Sequence, residues 1–497
     1  MKQITFYRDD VKRGIDTVCK AISQTLGPRG RNSFIDNEMA PLITNDGKST
    51  ADAITLEGFE NMGAWLVKNT CDKTFEDVGD ATTTTAILLQ SIISEGMKRP
   101  ENPTKIKKSL KEIGKKVEQW IKDESSPVKD SQIESVASVA AESKVIGKLI
   151  AEIIKKVGKK TPIYVDENAF GTEIDYVTVD GMETRNGYVS SNDAVIEMEN
   201  VSVFVTDKKI NSLVEIQKVL NTFDTAKVTS PVLIVPDIDE TVYKAFVRGK
   251  EMGLFSYVVI RAKGTDIFDM AAVCGATVIS SKNGLDFKDV EIKHLGLAKK
   301  VIVHQDRSLI VSDETPTKTK AIDDLKILLA GSTNFYEKQI LTKRIEALSG
   351  GIAIIRVAAP TDSERRYLRL KILNAVNTTK MALTEGIVPG AGLCLYRISN
   401  MMKGNSIGEE ILKLALKEPL KNIIENAGED YAVITRKMGG SKGYDADSNK
   451  VVDVSKCGII DSAKSTRCAF VNALSSASEF LTVGVSITNK KDETNRK

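Results

Sequence analysis

Hydrophobic periodicity divides this chain into helix-rich ends and a strand-rich middle, and that interruption constrains the fold more than any single motif. Between Asp9 and Leu26 apolar residues fall at Val11, Ile15, Val18, Ile22 and Leu26, a helical stripe. Gly27-Pro28 stops it, because proline cannot donate the next helical hydrogen bond. A β-like piece at 33–35 and a turn at Asn45-Asp46-Gly47 follow, then a second stripe through Ile106, Leu110, Ile113, Val117, Trp120 and Ile121. After Pro127 a helix with Ile146, Ile150, Ile153 and Val157 on one face leads to short strands at 163–165 and 174–179. From Gly181 to about Gly350 apolar strands alternate with helices, at 201–205, 232–235, 257–261, 277–279, 301–303 and 309–311. One strand at 352–357 comes next. Helical stripes then return at Ile411, Leu412, Ala415 and Leu416, and at Ala469, Ala473, Leu474, Ala477 and Leu481. The economical architecture is multidomain: a helical domain built from both ends of the chain, with an α/β domain inserted into it. Gly181, Gly350 and Gly351 fall where the insertion leaves and re-enters. They are hinge candidates, since glycine absorbs large backbone changes.

Composition narrows the function classes. Of 497 residues 41% are hydrophobic and 28% charged, a globular balance. Lys plus Arg is 70 and Asp plus Glu is 67, a formal charge of +3, which argues against a dedicated nucleic-acid binder. No apolar run approaches the ~20 residues of a membrane span. The start, MKQITFYRDDVKRG, has no apolar signal core, so the cytoplasm is expected, with an organelle matrix as the other option. Six scattered cysteines form no CxxC pair, which removes zinc clusters and thioredoxin-type chemistry. The closest two, Cys457 and Cys468, read as half-buried thiols. The two histidines, His294 and His304, lie in a strand-like, Lys-flanked stretch with no triad pattern around them.

Three short matches fail on context. Gly47-Lys48-Ser49 looks like the end of a P-loop, but Leu42 stands where its first glycine belongs. Gly390-Ala391-Gly392 follows a helical stretch and has Leu395 in place of a third glycine. Gly439 to Gly443 spells G-x-S-x-G, but a helix precedes it and a polar turn follows.

Gly79-Asp80-Ala81-Thr82-Thr83-Thr84-Thr85 is different. Small residues and hydroxyls run directly into an apolar helix. Unpaired N–H groups and the positive dipole end make a helix start attractive to phosphate, and Asp80 could hold Mg²⁺ there. Read alone, the segment is more simply a plain N-cap with a Thr-rich helix start.

Its neighbours decide between these. Thr25-Leu26-Gly27-Pro28-Arg29-Gly30, Ile43-Thr44-Asn45-Asp46-Gly47, Phe59-Glu60-Asn61-Met62-Gly63-Ala64 and the Asp80 run resemble group I chaperonins in order and spacing. So do Leu348-Ser349-Gly350-Gly351, Glu385-Gly386-Ile387-Val388, Gly443-Tyr444 and Gly458 through Arg467, and the resemblance covers nearly the whole chain. It implies a helical equatorial domain (1–123 and 386–497), a small intermediate domain (124–179 and 352–385, with Pro127 and Gly386 at its hinge) and an inserted α/β apical domain (180–351). It implies homo-oligomeric heptameric rings, single or double, that enclose non-native polypeptides with ATP, Mg²⁺ and a co-chaperonin. In the implied nucleotide site, Thr25, Leu26, Gly27, Pro28, Thr82, Thr83 and Thr84 hold phosphates. Asp80 binds the metal and Asp46 organises the attacking water. Tyr444, Asp445, Ala446 and Asp447 lie along adenine, and Asp461 meets the ribose.

Several positions depart from the family's pattern. Asn374 stands where an aspartate acts on the attacking water. An amide takes no proton near neutral pH, and losing a positioned base costs roughly 100- to 10,000-fold in rate, so slow hydrolysis is expected. Asn45 replaces a phosphate-contacting lysine, Ala81 replaces a glycine inside the phosphate loop, and Ala391 replaces another glycine near the nucleotide. On the apical surface Tyr188, Leu220, Tyr243 and Val247 keep apolar character for substrate, whereas Asn192, Asp193, Gln217 and Arg248 are polar. The other class of function is a hydrolysis-deficient scaffold or regulatory binding protein that uses ATP as a structural ligand.

Overall fold

The computed structural model describes residues 2–5, 8–36, 41–159, 161–168, 171, 173–188, 195–228, 230–253, 257–305 and 307–489. Contacts divide it into two units. Met1–Lys159, Val165–Ile174 and Val357–Lys497 form the first, Lys160–Tyr164 and Asp175–Arg356 the second.

The first unit is helical. Val11, Ile15, Val18 and Ile22 of the helix Asp9–Ser23 are buried against Val67, Leu88, Leu89, Ile92, Leu110, Val117, Phe470 and Ala473. These come from the helices Gly58–Val78, Thr82–Met97, Pro103–Asp123 and Ala463–Phe480, so both ends of the chain supply one core. Pro103 opens its helix where a missing N–H costs nothing, and the Asn102 side chain caps it. The first helix crosses Gly58–Val78 at two glycines. A Cβ on Gly14 would stand 1.9 Å from the Glu60 carbonyl oxygen, and one on Gly63 2.0 Å from that of Val11. The strand Lys2–Thr5 pairs antiparallel with Ser486–Asn489. Leu26, the last member of the first stripe, leaves that core and packs with Leu420, Ile423, Ile424 and Tyr444.

The second unit carries a six-stranded sheet in the order Gly181–Thr184, Ser308–Val311, Gly296–Val303, Ile196–Val205, Val232–Val235, Val258–Arg261. The last three strands are parallel, and the helices Gln217–Thr225 and Glu240–Glu251 connect them. Alternate residues serve opposite faces: Val203, Val205, Val232 and Ile234 join one cluster, Phe204, Leu233 and Val235 the other. Asp175–Val179 pairs separately with Ile352–Val357.

Several expectations need correction. The β-branched run 277–279 makes only an isolated bridge, Thr206 to Ile279, not a strand. His294 sits in a 3₁₀ turn, Ile292–His294, where its Nδ1 accepts the Glu291 N–H at 3.1 Å. Cys457 is exposed and Cys468 buried, so neither is half-buried. The strand Ile387–Pro389 directly precedes Gly390, and the strand Lys442–Asp445 begins inside the G-x-S-x-G stretch. Gly181 lies within a strand, its missing Cβ making room for the Ile310 carbonyl at 2.4 Å. Gly181, Gly350 and Gly351 fall within the second unit, close to where the chain enters it at 174–175 and leaves it at 356–357. Pro127 and Gly386 are neighbours: Ser126 and Ile387 exchange backbone hydrogen bonds of 2.8 and 2.9 Å, and Gly386 is left-handed at φ +86°.

Candidate functional site

A cavity of about 720 Å³ opens in the first unit, and its lining gathers the expected nucleotide residues from seven separate stretches. Thr25, Leu26, Gly27, Pro28, Asn45, Asp46, Asp80, Ala81, Thr82, Thr83, Thr84, Asn374, Ala391, Tyr444, Asp445, Ala446, Asp447 and Asp461 all border it.

The helix Thr82–Met97 begins on this cavity. Its N-cap, Ala81, offers no side-chain acceptor, so the first N–H groups of a buried helix keep their capacity for an outside partner. The tight entry needs two left-handed residues, Gly79 at φ +68° and Ala81 at φ +63°. Glycine takes that conformation without strain; alanine does not. Ala391, at φ +54°, repeats the pattern on the opposite wall. Ala81→Gly should therefore raise unfolding stability by about 0.5–1 kcal/mol in urea titration, strain relief outweighing the entropy glycine adds to the unfolded chain. Gly47 packs beneath the helix start, where a Cβ would lie 2.2 Å from Thr83 Oγ1.

Three of the carboxylates that border this space are Asp46, Asp80 and Asp461. Asp46 caps the helix Gly47–Ala53: its Oδ2 accepts from Ser49 N and Oγ, both at 2.7 Å. Asp80 accepts the Ala81 N–H at 2.6 Å and a short hydrogen bond from the Thr378 hydroxyl. Burial pushes its carboxyl up, the Asp46 charge adds to that, and its two hydrogen bonds oppose it. Asp461 stands on the strand Ile460–Ser462, which pairs with Ile387–Pro389. Burial, then the Asp80 charge, push it up to about 6. The folded chain thus holds the Asp461 proton more tightly than the unfolded chain. This site's stabilising contribution is full below about pH 4 and is lost as pH rises to about 6. Asp461→Asn should raise stability above pH 7 by up to about 3 kcal/mol and change little at pH 4, read as the difference between urea midpoints.

The helix Asp362–Glu385 closes one side. Residues three and four apart share a helix face. Asn374 Nδ2 donates to Asp46 Oδ1 at 3.4 Å, Thr378 meets Asp80, and Asn377 Nδ2 donates to the Gly79 carbonyl at 3.4 Å. One turn before Asn374, Lys371 Nζ pairs with Glu142 Oε1 at 2.8 Å. Glu142 also accepts from Asn45 Nδ2 at 3.2 Å. Thr378, Lys371 and Glu142 were not anticipated. The 371–374–378 spacing was the available signal for two of them.

The remaining wall joins two loops. Asn426 Nδ2 donates to the Ser23 and Leu26 carbonyls at 2.9 and 3.0 Å, fixing the turn at Gly27 (φ +85°). Arg29 Nη2 donates to the Asp447 carbonyl at 2.9 Å, tying that turn to the segment 444–447. Tyr444 is fully buried, so its ring props this segment from behind. Asp445 accepts from Asp447 N at 3.0 Å and Ser448 Oγ at 2.6 Å, which closes the turn on the cavity side.

In the second unit the expected substrate residues are half-buried. Leu220 and Tyr243 pack on the cluster around Phe204, and Tyr188 on the opposite one; Val247 is also partly covered. Gln217 and Arg248 are exposed, and Asn192 and Asp193 lie outside the described residues. The large exposed apolar side chains of this unit include Val214 (80%) and Met252 (66%), beside the ends of the same two helices.

Comparison with known proteins bears on the family and the fold. The profile of the TCP-1/cpn60 chaperonin family matches residues 18–228 and 214–491. Chaperonin GroEL of Acholeplasma laidlawii (strain PG-8A) is 35% identical over 527 aligned residues, covering 99% of this chain and 98% of that protein. Two crystal structures of the chaperonin gp146 from the bacteriophage EL 2 (Pseudomonas aeruginosa), both in the presence of ATP-BeFx, share the fold. Their TM-scores are 0.71 and 0.66 at 18% identity, over 97% of this chain and 98% of theirs. No described helix is long and apolar enough to cross a membrane. An interrupted helical unit carrying an inserted α/β unit, and a profile match spanning nearly its whole length, place this chain in the TCP-1/cpn60 chaperonin family.

Proposed function

We propose that this chaperonin is an ATP-binding ring subunit that encloses non-native polypeptide and hydrolyses ATP slowly. The observation that carries the ATP assignment is the juxtaposition of an uncapped helix start at Thr82 with Asp80, Asp46 and Asp461. Unpaired N–H groups suit phosphate, and a partly buried carboxylate such as Asp80 suits a cation. Asp80 would therefore hold Mg²⁺, which when bound would neutralise phosphate charge, and Asp461 would meet the ribose. The ATP-BeFx present with the phage chaperonin is consistent with such a ligand.

The chain's own groups have separable tasks. The Thr82–Thr84 N–H groups and hydroxyls bind phosphate. The turn Thr25–Pro28 and the segment 444–447 hold the rest of the nucleotide. Asp46, fixed by Ser49, orients water. Asn374 donates to Asp46 and has no basic atom to offer, which is why turnover is slow. The domain division stays that of the family, equatorial 1–123 and 386–497, intermediate 124–179 and 352–385, apical 180–351, with Pro127 and Gly386 paired at the lower hinge. Heptameric rings, a co-chaperonin and a cytoplasmic site complete the assignment. Calorimetric titration with Mg-ATP, together with light scattering, tests it. Binding by a particle several times 54.3 kDa supports it, whereas a monomer without ATP affinity refutes it.

A further inference from the structure

A polyphosphate needs cations, and this cavity has few. Among its described lining residues Lys144 and Lys371 face seven carboxylates: Asp46, Asp80, Glu134, Glu142, Asp445, Asp447 and Asp461. Lys144 is exposed at the start of the helix Lys144–Val157. Lys371 is 11% exposed and shares its helix face with Asn374 and Thr378, which touch Asp46 and Asp80. Its charge also reaches Asp80, whose proton it helps to displace.

Glu142 holds this lysine. It ends the helix Ile133–Ala141 in a left-handed conformation (φ +51°) that a non-glycine residue adopts at a cost. Its carboxylate accepts from Lys371 at 2.8 Å and from Asn45, the neighbour of Asp46, at 3.2 Å. One anion on the protein thus engages an ammonium and an amide that a terminal phosphate would also seek.

We propose that Lys371 is the cation that receives the nucleotide's terminal phosphate, and that Glu142 is its internal counter-ion, displaced when the phosphate arrives. This rests on the nucleotide assignment of the cavity. Glu142 then discriminates between nucleotides: a triphosphate takes Lys371 from it, and a diphosphate leaves the pair joined.

Calorimetric titration of the full chain with Mg-ATP and with Mg-ADP tests this on the wild type, Glu142→Gln, Lys371→Gln and the double variant. Lys371→Gln should weaken ATP about tenfold or more and ADP less than about threefold. Glu142→Gln should tighten ATP about three- to tenfold, and that gain should vanish in the double variant. The double variant carries neither charge, so it reports on Lys371 even where the single lysine variant folds poorly. Wild-type ATP affinity in Lys371→Gln, weaker ATP binding in Glu142→Gln, or a gain that survives without Lys371 each overturns the proposal. Absence of ATP binding in the wild type overturns the nucleotide assignment instead.

Discussion

Replacing Asn374 with aspartate is expected to raise steady-state ATP turnover about 100- to 10,000-fold over the wild type, with nucleotide affinity changed only a few-fold. Asparagine and aspartate differ little in shape, so the helix Asp362–Glu385 keeps its packing. The change at the site is chemical. The Asn374 amide donates to Asp46. A carboxylate there stands beside a second carboxylate, and like charges at this distance raise the proton affinity of one of them. That moves it toward neutral pH, where a general base works best. An ordinary chaperonin rate in the wild type, or an aspartate variant that binds ATP and gains nothing, would show that Asn374 does not limit hydrolysis. Restoration would show a complete nucleotide site lacking only its base.

The largest destabilisation is expected at Gly63. A methyl group there would lie 2.0 Å from the Val11 carbonyl oxygen and 2.8 Å from the Ile15 nitrogen. Both are backbone atoms, so no side-chain rotation relieves the overlap and the two helices must separate. Overpacking costs about 1–3 kcal/mol or more, and the better helix propensity of alanine returns about 1 kcal/mol. Gly63→Ala should therefore lower stability by about 2 kcal/mol, seen as a lower urea midpoint. Gly331→Ala makes the same change where no atom lies within 4 Å, and should be neutral or stabilising. A Gly63→Ala variant as stable as the wild type would mean the crossing is looser than its geometry implies. The effect reaches the site, because these helices run directly into Thr25 and Gly79.

The stripe Val11–Ile22 was legible because one period and one buried side coincide, and the strands Val232–Val235 and Ile352–Val357, covered on both faces, were legible as short continuous apolar runs. The helix Gly58–Val78 was not. It buries Thr70, Cys71 and Thr74 as well as Val67, and small polar residues blur any stripe. At 277–279 β-branched residues signalled a strand, but no neighbouring strand offers them a ladder. In the site, the lining residues came from the family resemblance, and the strained backbone at Ala81 and Ala391 fits positions where that family has glycine. Lys371 and Glu142 stayed hidden because their pairing spans distant parts of the chain and neither position belongs to a motif.

The pairing of Lys2–Thr5 with Ser486–Asn489 has a consequence for synthesis. A chain emerging from the ribosome completes the inserted unit once Arg356 is out. The helical unit at that moment still lacks the helix Ala463–Phe480, whose Phe470 and Ala473 fill its centre. Its N-terminal helices must wait, with apolar faces uncovered, for nearly the whole chain to be made. A chain of this chaperonin family is thus expected to pass through a long unfinished stage of its own, the inserted unit folding first and the helical unit last.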